Sequence, residues 1–136
     1  MKVIVCLDDF DGMMFNHRRQ SRDRTVIADI AEMIGDSPLY MCTYSATLFE
    51  DVAITSRVMD DFLDHAKRGD WCFVEDRSLT PYAAEIDTVV VYRWNRHYPS
   101  DFIFDLDLET CGFCLKDRAE FSGYSHEMIT KEIFKK

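Results

Sequence analysis

Short, continuous runs of aliphatic and β-branched residues are the feature that most restricts the folds open to this chain. Runs without polar alternation are typical of strands that are buried on both faces of a sheet. Four such runs are present, over residues 3–7, 39–43, 71–74 and 88–94. Because both faces of each strand must be covered, the sequence predicts a central sheet with helices packed on either side.

Helical and alternating patterns fill the segments between these runs. Val26, Ile27 and Ile30 begin an apolar stripe at helical spacing, and Gly35 is the residue at which that helix is expected to end. We predict helices over residues 24–34, 58–66 and 80–85, strands over 52–55 and 102–108, and a hairpin over 113–134 with Gly123 at its turn.

The order of these elements predicts a single α/β domain over residues 1–136. Strands that alternate with helices are joined in parallel, whereas consecutive strands late in the chain favour antiparallel pairing. We therefore expect a three-layer α/β sandwich with a mostly parallel central sheet and an antiparallel C-terminal edge. Ligands of such sheets bind beyond the carboxyl ends of the strands.

Charge and composition argue against several classes of protein. The chain has 25 acidic and 16 basic residues, a net charge of −9, which argues against a nucleic-acid partner because phosphate affinity comes from Lys and Arg. No apolar run reaches the roughly 18 residues that a bilayer span needs, so we expect no membrane partner. Five scattered cysteines do not form a disulfide framework, and free thiols are typical of a cytoplasmic protein.

The order and spacing of the segments resemble the dihydrofolate reductase family over most of the chain. The resemblance rests on a first strand that runs into an acidic loop with a glycine, a strand led by proline, a Leu-x-Pro-Tyr-Ala pattern and a closing aromatic and acidic stretch. These segments are residues 4–12, 38–41, 79–83 and 98–108. The resemblance implies a dihydrofolate reductase-like fold with a substrate pocket and a site for NADPH.

The chain departs from the family where NADPH would bind. The family has a Gly-Gly pair after the fourth buried strand, where the absence of a Cβ lets the backbone approach the cofactor's phosphates. Glu75 and Asp76 follow that strand here, and their charge and bulk oppose a phosphate group. A Gly-Arg pair after the second strand is replaced by Cys42 and Thr43. We therefore expect no cofactor, with NADPH disfavoured by Glu75 and Asp76.

The resemblance places the family's single pocket carboxylate at about Asp23. Ile27 follows one helical turn later on the same side of the helix, and the implied substrate pocket is lined by Val5, Cys6, Asp23, Ile27 and Tyr40. A carboxylate against an apolar wall would have a raised pKa and could relay a proton, which makes Asp23 the candidate catalytic residue. The alternative is a carboxylate held at a helix N-terminus by the helix dipole.

Basic residues are concentrated in one short segment of this acidic chain. Arg18, Arg19, Arg22 and Arg24 lie within seven residues, and guanidinium groups so close together could clamp a phosphate or carboxylate. We assign Arg18, Arg19 and Arg22 to substrate binding on this basis. The alternative is a solvated helix start whose arginines pair with acidic neighbours.

Three functions stay open at this point. The first is a small protein of dihydrofolate reductase-like fold, with a degenerate NADPH site and a pocket for a small heterocyclic or anionic ligand, lacking ordinary reductase activity. The second is a metal-dependent hydrolase or nuclease built on Asp8, Asp9 and Asp11, although the His-x-His-x-Asp-His metal motif of a ribonuclease Z-type enzyme is absent. The third is a non-enzymatic homodimer that pairs through an exposed edge strand near residues 93–98. If the chain is an enzyme, NADPH-dependent reduction ranks before hydrolysis.

Overall fold

Strands dominate the chain in the computed structural model, which describes residues 1–136. The strands are β1 (Lys2–Leu7), β2 (Gly12–Phe15), β3 (Arg18–Arg19), β4 (Leu39–Met41), β5 (Ser56–Val58), β6 (Trp71–Phe73), β7 (Thr88–Arg93), β8 (Phe102–Ile103), β9 (Cys114–Phe121) and β10 (Ile129–Lys135). The helices are α1 (Arg24–Ile34), α2 (Thr43–Ala46) and α3 (Phe62–His65), with 3₁₀ helices over Thr47–Phe49 and Thr80–Glu85.

Seven strands form one mixed sheet in the order β5-β4-β6-β1-β7-β10-β9. The strands from β5 to β7 run parallel to one another, whereas β10 is antiparallel to both β7 and β9. The predicted mostly parallel sheet with an antiparallel C-terminal edge is therefore confirmed. Because β1, β4 and β6 run the same way, the loops that follow them meet at one edge of the sheet, where ligands of α/β sheets bind.

Both faces of this sheet are covered, as an α/β sandwich requires. On β1, Val3 and Val5 point to one face and Ile4 to the other, because side chains alternate along a strand. The Ile4 face packs against the apolar stripe of α1, which consists of Val26, Ile27, Ile30 and Ile34. The Val5 face packs against α3, the second 3₁₀ helix and β2.

A second, antiparallel sheet of order β3-β2-β8 lies outside the sequence prediction. Its strands have two to four residues, which is too short for a hydrophobic period to show. Met13 and Met14 of β2 are buried in the core all the same. This small sheet carries the segment from residue 12 to residue 19 across the carboxyl edge of the large sheet.

The helix predicted over residues 58–66 and the strand predicted over 52–55 are both wrong. The strand lies four residues later, as β5, and its Val58 pairs with Met41 of β4. Only the four residues of α3 remain helical. Strand pairing has overridden the local helical spacing, because tertiary contacts outweigh the small differences in intrinsic propensity.

The strand predicted over residues 102–108 is confirmed only for β8, although its alternation of burial persists. Phe104 and Leu106 are buried and Asp105 is exposed. The chain leaves the ladder here because Asp105 accepts a hydrogen bond from the N–H of Leu79, 2.9 Å from its Oδ1. The helix ending at Gly35, with φ of 57°, and the hairpin of β9 and β10 are confirmed. No helix has the length and apolar content that crossing a membrane requires.

Replacing Ile30 with Ala should lower the free energy of unfolding by about 3 kcal/mol, because the side chain is fully buried between α1 and the sheet. Urea denaturation of both proteins measures the difference. Glu32 is the matched control, since it lies on the exposed face of the same helix. Glu32→Ala should change stability by less than about 0.5 kcal/mol. Equal effects of the two changes would contradict the packing described for α1.

Candidate functional site

A cleft of about 520 Å³ opens at the carboxyl edge of the parallel strands. It is lined by Met14, His17, Tyr44, Asp76, Asp101 and Phe102. Tyr44 and Asp76 follow β4 and β6, while the other four residues come from the small sheet and its connections. The cleft therefore lies where the fold is expected to hold a ligand.

The cleft combines apolar walls with two carboxylates. Met14 and Phe102 supply apolar surface, and Tyr44 adds an aromatic ring. Asp101 accepts the N–H of Asn16 at 3.0 Å, and Asp76 accepts Arg77 Nε at 2.9 Å. Each carboxylate keeps further acceptor capacity. A ligand with N–H groups on a flat, partly apolar body matches this lining better than a phosphate does.

Glu75 is tied to Arg19 beneath this cleft. Arg19 donates from Nε to Glu75 Oε2 at 2.8 Å and from Nη2 to Oε1 at 3.0 Å, which is a bidentate pair. Ser45 donates its hydroxyl to the same Oε1 at 2.7 Å, and the guanidinium also stacks on Tyr44 at 4.3 Å. Of the two acidic residues expected to oppose NADPH, only Asp76 therefore lines the cleft, while Glu75 is buried and neutralised.

The four arginines of the basic segment do not converge on one ligand site. Arg19 is bound to Glu75, and Arg18 is exposed and makes no ion pair. Arg22 and Arg24 line a second cleft of about 690 Å³ between α1, the first 3₁₀ helix and the β9–β10 connection. Arg24 stacks on Tyr124 at 4.4 Å. The structure therefore does not bring the four guanidinium groups together as one clamp.

The five residues expected to line one substrate pocket are divided between the two faces of the sheet. Val5 is fully buried in the core on one face, whereas Ile27 belongs to α1 on the other. Tyr40 packs with the Val5 side and Cys6 with the α1 side. Burial raises the pKa of the Cys6 thiol well above its usual range. Ile27 and Asp23 do line the second cleft.

Asp23 is buried and caps α1 while it holds the C-terminal connection in place. Its Oδ1 accepts the N–H of Thr25 at 2.9 Å and of Tyr124 at 2.9 Å. Its Oδ2 accepts the N–H of Ser125 at 2.9 Å and both the N–H and the ring Nδ1 of His126, at 3.1 and 2.9 Å. Burial alone would raise the pKa of Asp23, but these hydrogen bonds, led by Tyr124 N–H, hold it well below its usual range. The expected raised pKa is therefore wrong.

Gly123 permits this arrangement because it lacks a side chain. A Cβ there would lie 2.6 Å from Asp23 Oδ2 and 2.7 Å from the His126 carbonyl oxygen. A glycine is therefore required at position 123 of the hairpin turn, because the Asp23 carboxylate lies too close for any side chain. No pattern in the sequence links position 23 to positions 123–126, so the contribution of His126 was not predicted.

The acidic loop after β1 does not assemble a metal site. Asp8 is buried, and it accepts the N–H groups of Phe10, Gly12 and Tyr98 and the amide of Gln20 at 2.7–3.2 Å. These bonds outweigh burial and lower the pKa of Asp8. Asp11 pairs with Arg93 at 2.6 Å. No group of three or more His, Cys, Asp or Glu side chains is placed to hold a metal ion, so the donor set of the predicted metal-dependent hydrolase is not brought together.

Comparison with known proteins adds no family to this description. No protein-family model matches the chain, and no curated protein matches it in sequence.

Replacing Asp23 with Asn should destabilise the protein by about 2 kcal/mol at pH 7, because an amide cannot accept all of these bonds and bonds to a charged group contribute about 1.5–3 kcal/mol. The pKa of Asp23 is lower in the folded chain than in the unfolded chain, where aspartate titrates near ~3.9. The stability that ionised Asp23 contributes to the folded state is therefore fully present well above that pH and is lost as the pH falls.

Urea unfolding of wild type and Asp23→Asn between about pH 7 and pH 2 checks this expectation, and the stability gap should narrow below about pH 5. Asp36→Asn is the control, since Asp36 is exposed and makes no side-chain hydrogen bond or ion pair. A gap that stays constant with pH would contradict an ionised, hydrogen-bonded Asp23.

Proposed function

We propose that this protein binds a small amino-substituted heterocycle in the 520 Å³ cleft. The observation that carries the proposal is the pairing of two carboxylates, Asp76 and Asp101, with apolar walls at the carboxyl edge of a mostly parallel sheet. Carboxylates recognise ring N–H and amino groups through paired hydrogen bonds. The mixed sheet with its antiparallel C-terminal edge and the position of the cleft support a dihydrofolate reductase-like origin, as a likeness of fold.

The charges around the cleft support the loss of ordinary reduction with NADPH. Asp76 lines the cleft, and the nearest arginine of the basic segment, Arg19, is already neutralised by Glu75. A dinucleotide pyrophosphate would meet two carboxylates, Asp76 and Asp101, in the lining of the cleft. The proposed activity is therefore binding of a neutral or cationic heterocycle rather than of a phosphorylated cofactor.

A thermal-shift titration with 2,4-diaminopyrimidine and with NADPH tests the proposal. The pyrimidine should raise the melting temperature, because it binds the folded state alone, and NADPH should not. Asp76→Asn and Asp101→Asn should each weaken pyrimidine binding by about tenfold or more, equivalent to about 1.4 kcal/mol.

The control for this titration is Asp36→Asn, because Asp36 precedes β4 and so lies at the opposite edge of the sheet from the cleft. It should bind the pyrimidine as the wild type does. Micromolar affinity for NADPH would overturn the proposal and restore the reductase. Pyrimidine binding unaffected by either cleft variant would place the ligand elsewhere and would also overturn it.

A homodimer is the second candidate, although through a different edge from the one predicted. Arg93 lies in β7, which pairs with β1 and β10, so the segment near residues 93–98 offers no free edge. The free C-terminal edge is β9, and seven of its eight residues are exposed. A long edge strand is a template for pairing with another strand, and the charged residues of β9 restrict its partner to a strand of complementary charge.

Charge complementarity favours a second copy of this chain as the partner of β9. In an antiparallel pair centred on Ala119, which faces its own counterpart, Arg118 of each copy faces Glu120 of the other. Such opposite charges stabilise cross-strand pairs. The pair would extend the seven-stranded sheet continuously through both copies.

Light scattering across a concentration series measures the dimer, and charge exchange tests the register. Arg118→Glu and Glu120→Arg should each weaken association by about tenfold, because each places like charges opposite one another. The double variant restores opposite charges and should dimerise as the wild type does. A wild type that stays monomeric, or a double variant no better than the singles, would count against this interface.

A further inference from the structure

His126 connects a buried carboxylate to a serine hydroxyl outside the 520 Å³ cleft. Its Nδ1 lies 2.9 Å from Asp23 Oδ2, and its Nε2 lies 2.9 Å from Ser21 Oγ. Asp23 is 2% and His126 6% exposed, whereas Ser21 is half-buried. The buried acid contacts the imidazole, and the imidazole contacts the more accessible hydroxyl. This is the arrangement that activates a nucleophilic serine.

The proton positions in this chain of contacts follow from the state of Asp23. An ionised carboxylate accepts hydrogen bonds only, so the proton between Asp23 and His126 lies on Nδ1. In the neutral ring, Nε2 then carries a lone pair and accepts the hydroxyl proton of Ser21. Trp94 stacks on the imidazole, with ring centres 4.6 Å apart and planes inclined by 21°. Asp23 and Trp94 together fix the orientation of the His126 ring.

The second cleft lies beside these three residues. Its lining includes Arg22 and Ser125, which are the chain neighbours of Ser21 and His126, and Asp23 itself. Arg22 and Arg24 line this cleft together with the carboxylates of Asp23 and Asp51. The cleft therefore adjoins the oriented base through Asp23 and through the chain neighbours of Ser21 and His126.

We propose that Ser21 is the nucleophile of an esterase activity toward small carboxylic esters, with His126 as general base and Asp23 as a positioning residue. Ser21 Oγ attacks the ester carbonyl carbon while its proton moves to His126 Nε2. The bond from that carbon to the leaving oxygen then breaks, and the leaving alkoxide takes the proton from His126. Water attacks the resulting acyl-serine in the same way, which releases the carboxylic acid and restores Ser21.

Tyr98 shares the base with Ser21, since its hydroxyl lies 3.1 Å from the same Nε2. A single lone pair accepts one hydroxyl proton at a time, so Tyr98 competes with Ser21 for His126. Removing the Tyr98 hydroxyl should therefore leave the reactivity of Ser21 unchanged or increased.

Labelling of the full-length protein with a fluorophosphonate probe, followed by intact-mass analysis and peptide mapping, tests the proposal. The probe should add once, at Ser21, with loss of fluoride. Ser21→Ala should lower the labelling rate by about 100-fold or more, and Asp23→Asn should lower it strongly through loss of the oriented base. Hydrolysis of p-nitrophenyl acetate should fall in parallel.

Ser37→Ala is the matched control, because Ser37 is an exposed serine beyond the end of α1 and its hydroxyl makes no hydrogen bond to Asp23 or His126. It should label at the wild-type rate, and Tyr98→Phe at that rate or faster. Circular dichroism confirms that each variant is folded. Absence of labelling in the folded wild type, labelling at another residue, or a slower Tyr98→Phe would each overturn the assignment of Ser21. The pyrimidine titration at the other cleft is independent of all these results.

Discussion

The arrangement of α1 and of the connection between β9 and β10 depends on the carboxylate of Asp23. This carboxylate caps α1, and through three consecutive N–H groups and an imidazole it holds the connection between β9 and β10 against the same helix. A buried charge is costly unless hydrogen bonds replace water, and here they do so completely. The helix, the C-terminal hairpin and His126 therefore occupy fixed positions relative to one another.

Charge placement at the carboxyl edge of the sheet decides which ligands the fold can accept. The protein is strongly acidic, and within its one basic segment Arg19 is bound to Glu75. This pair removes a cation from the cleft and leaves Asp76 and Asp101 as its charged lining. An open parallel edge that would suit a phosphate in another protein is, in this one, better matched to hydrogen-bond donors. The second cleft differs in its charges, because Arg22 and Arg24 line it together with Asp23 and Asp51.

The centre of the sheet could be predicted from the sequence because its strands are continuous hydrophobic runs. The site could not be predicted, because it is built from pairs of residues that are distant along the chain. The buried runs at β1 and β7 and the stripe of α1 carry their own signal. The contacts of Glu75 with Arg19 and of Asp23 with His126 span 56 and 103 residues, and no local sequence pattern indicates them. At Val58 the local pattern predicts the wrong structure, since its spacing is helical but the residue pairs with β4. Asp23 was found by resemblance, but its ionisation depends on donors that only the folded chain supplies.

The position of β10 between β7 and β9 has a consequence for biosynthesis. Until β10 and the connection before it are made, β7 lacks a neighbour along one side, and Asp23 lacks the donors at Tyr124, Ser125 and His126. The nascent chain can collapse around β1 and α1, but a desolvated carboxylate without partners opposes completion of that core. The native core is therefore completed only once this hairpin has left the ribosome, and a chain that stops short of residue 126 stays incompletely folded.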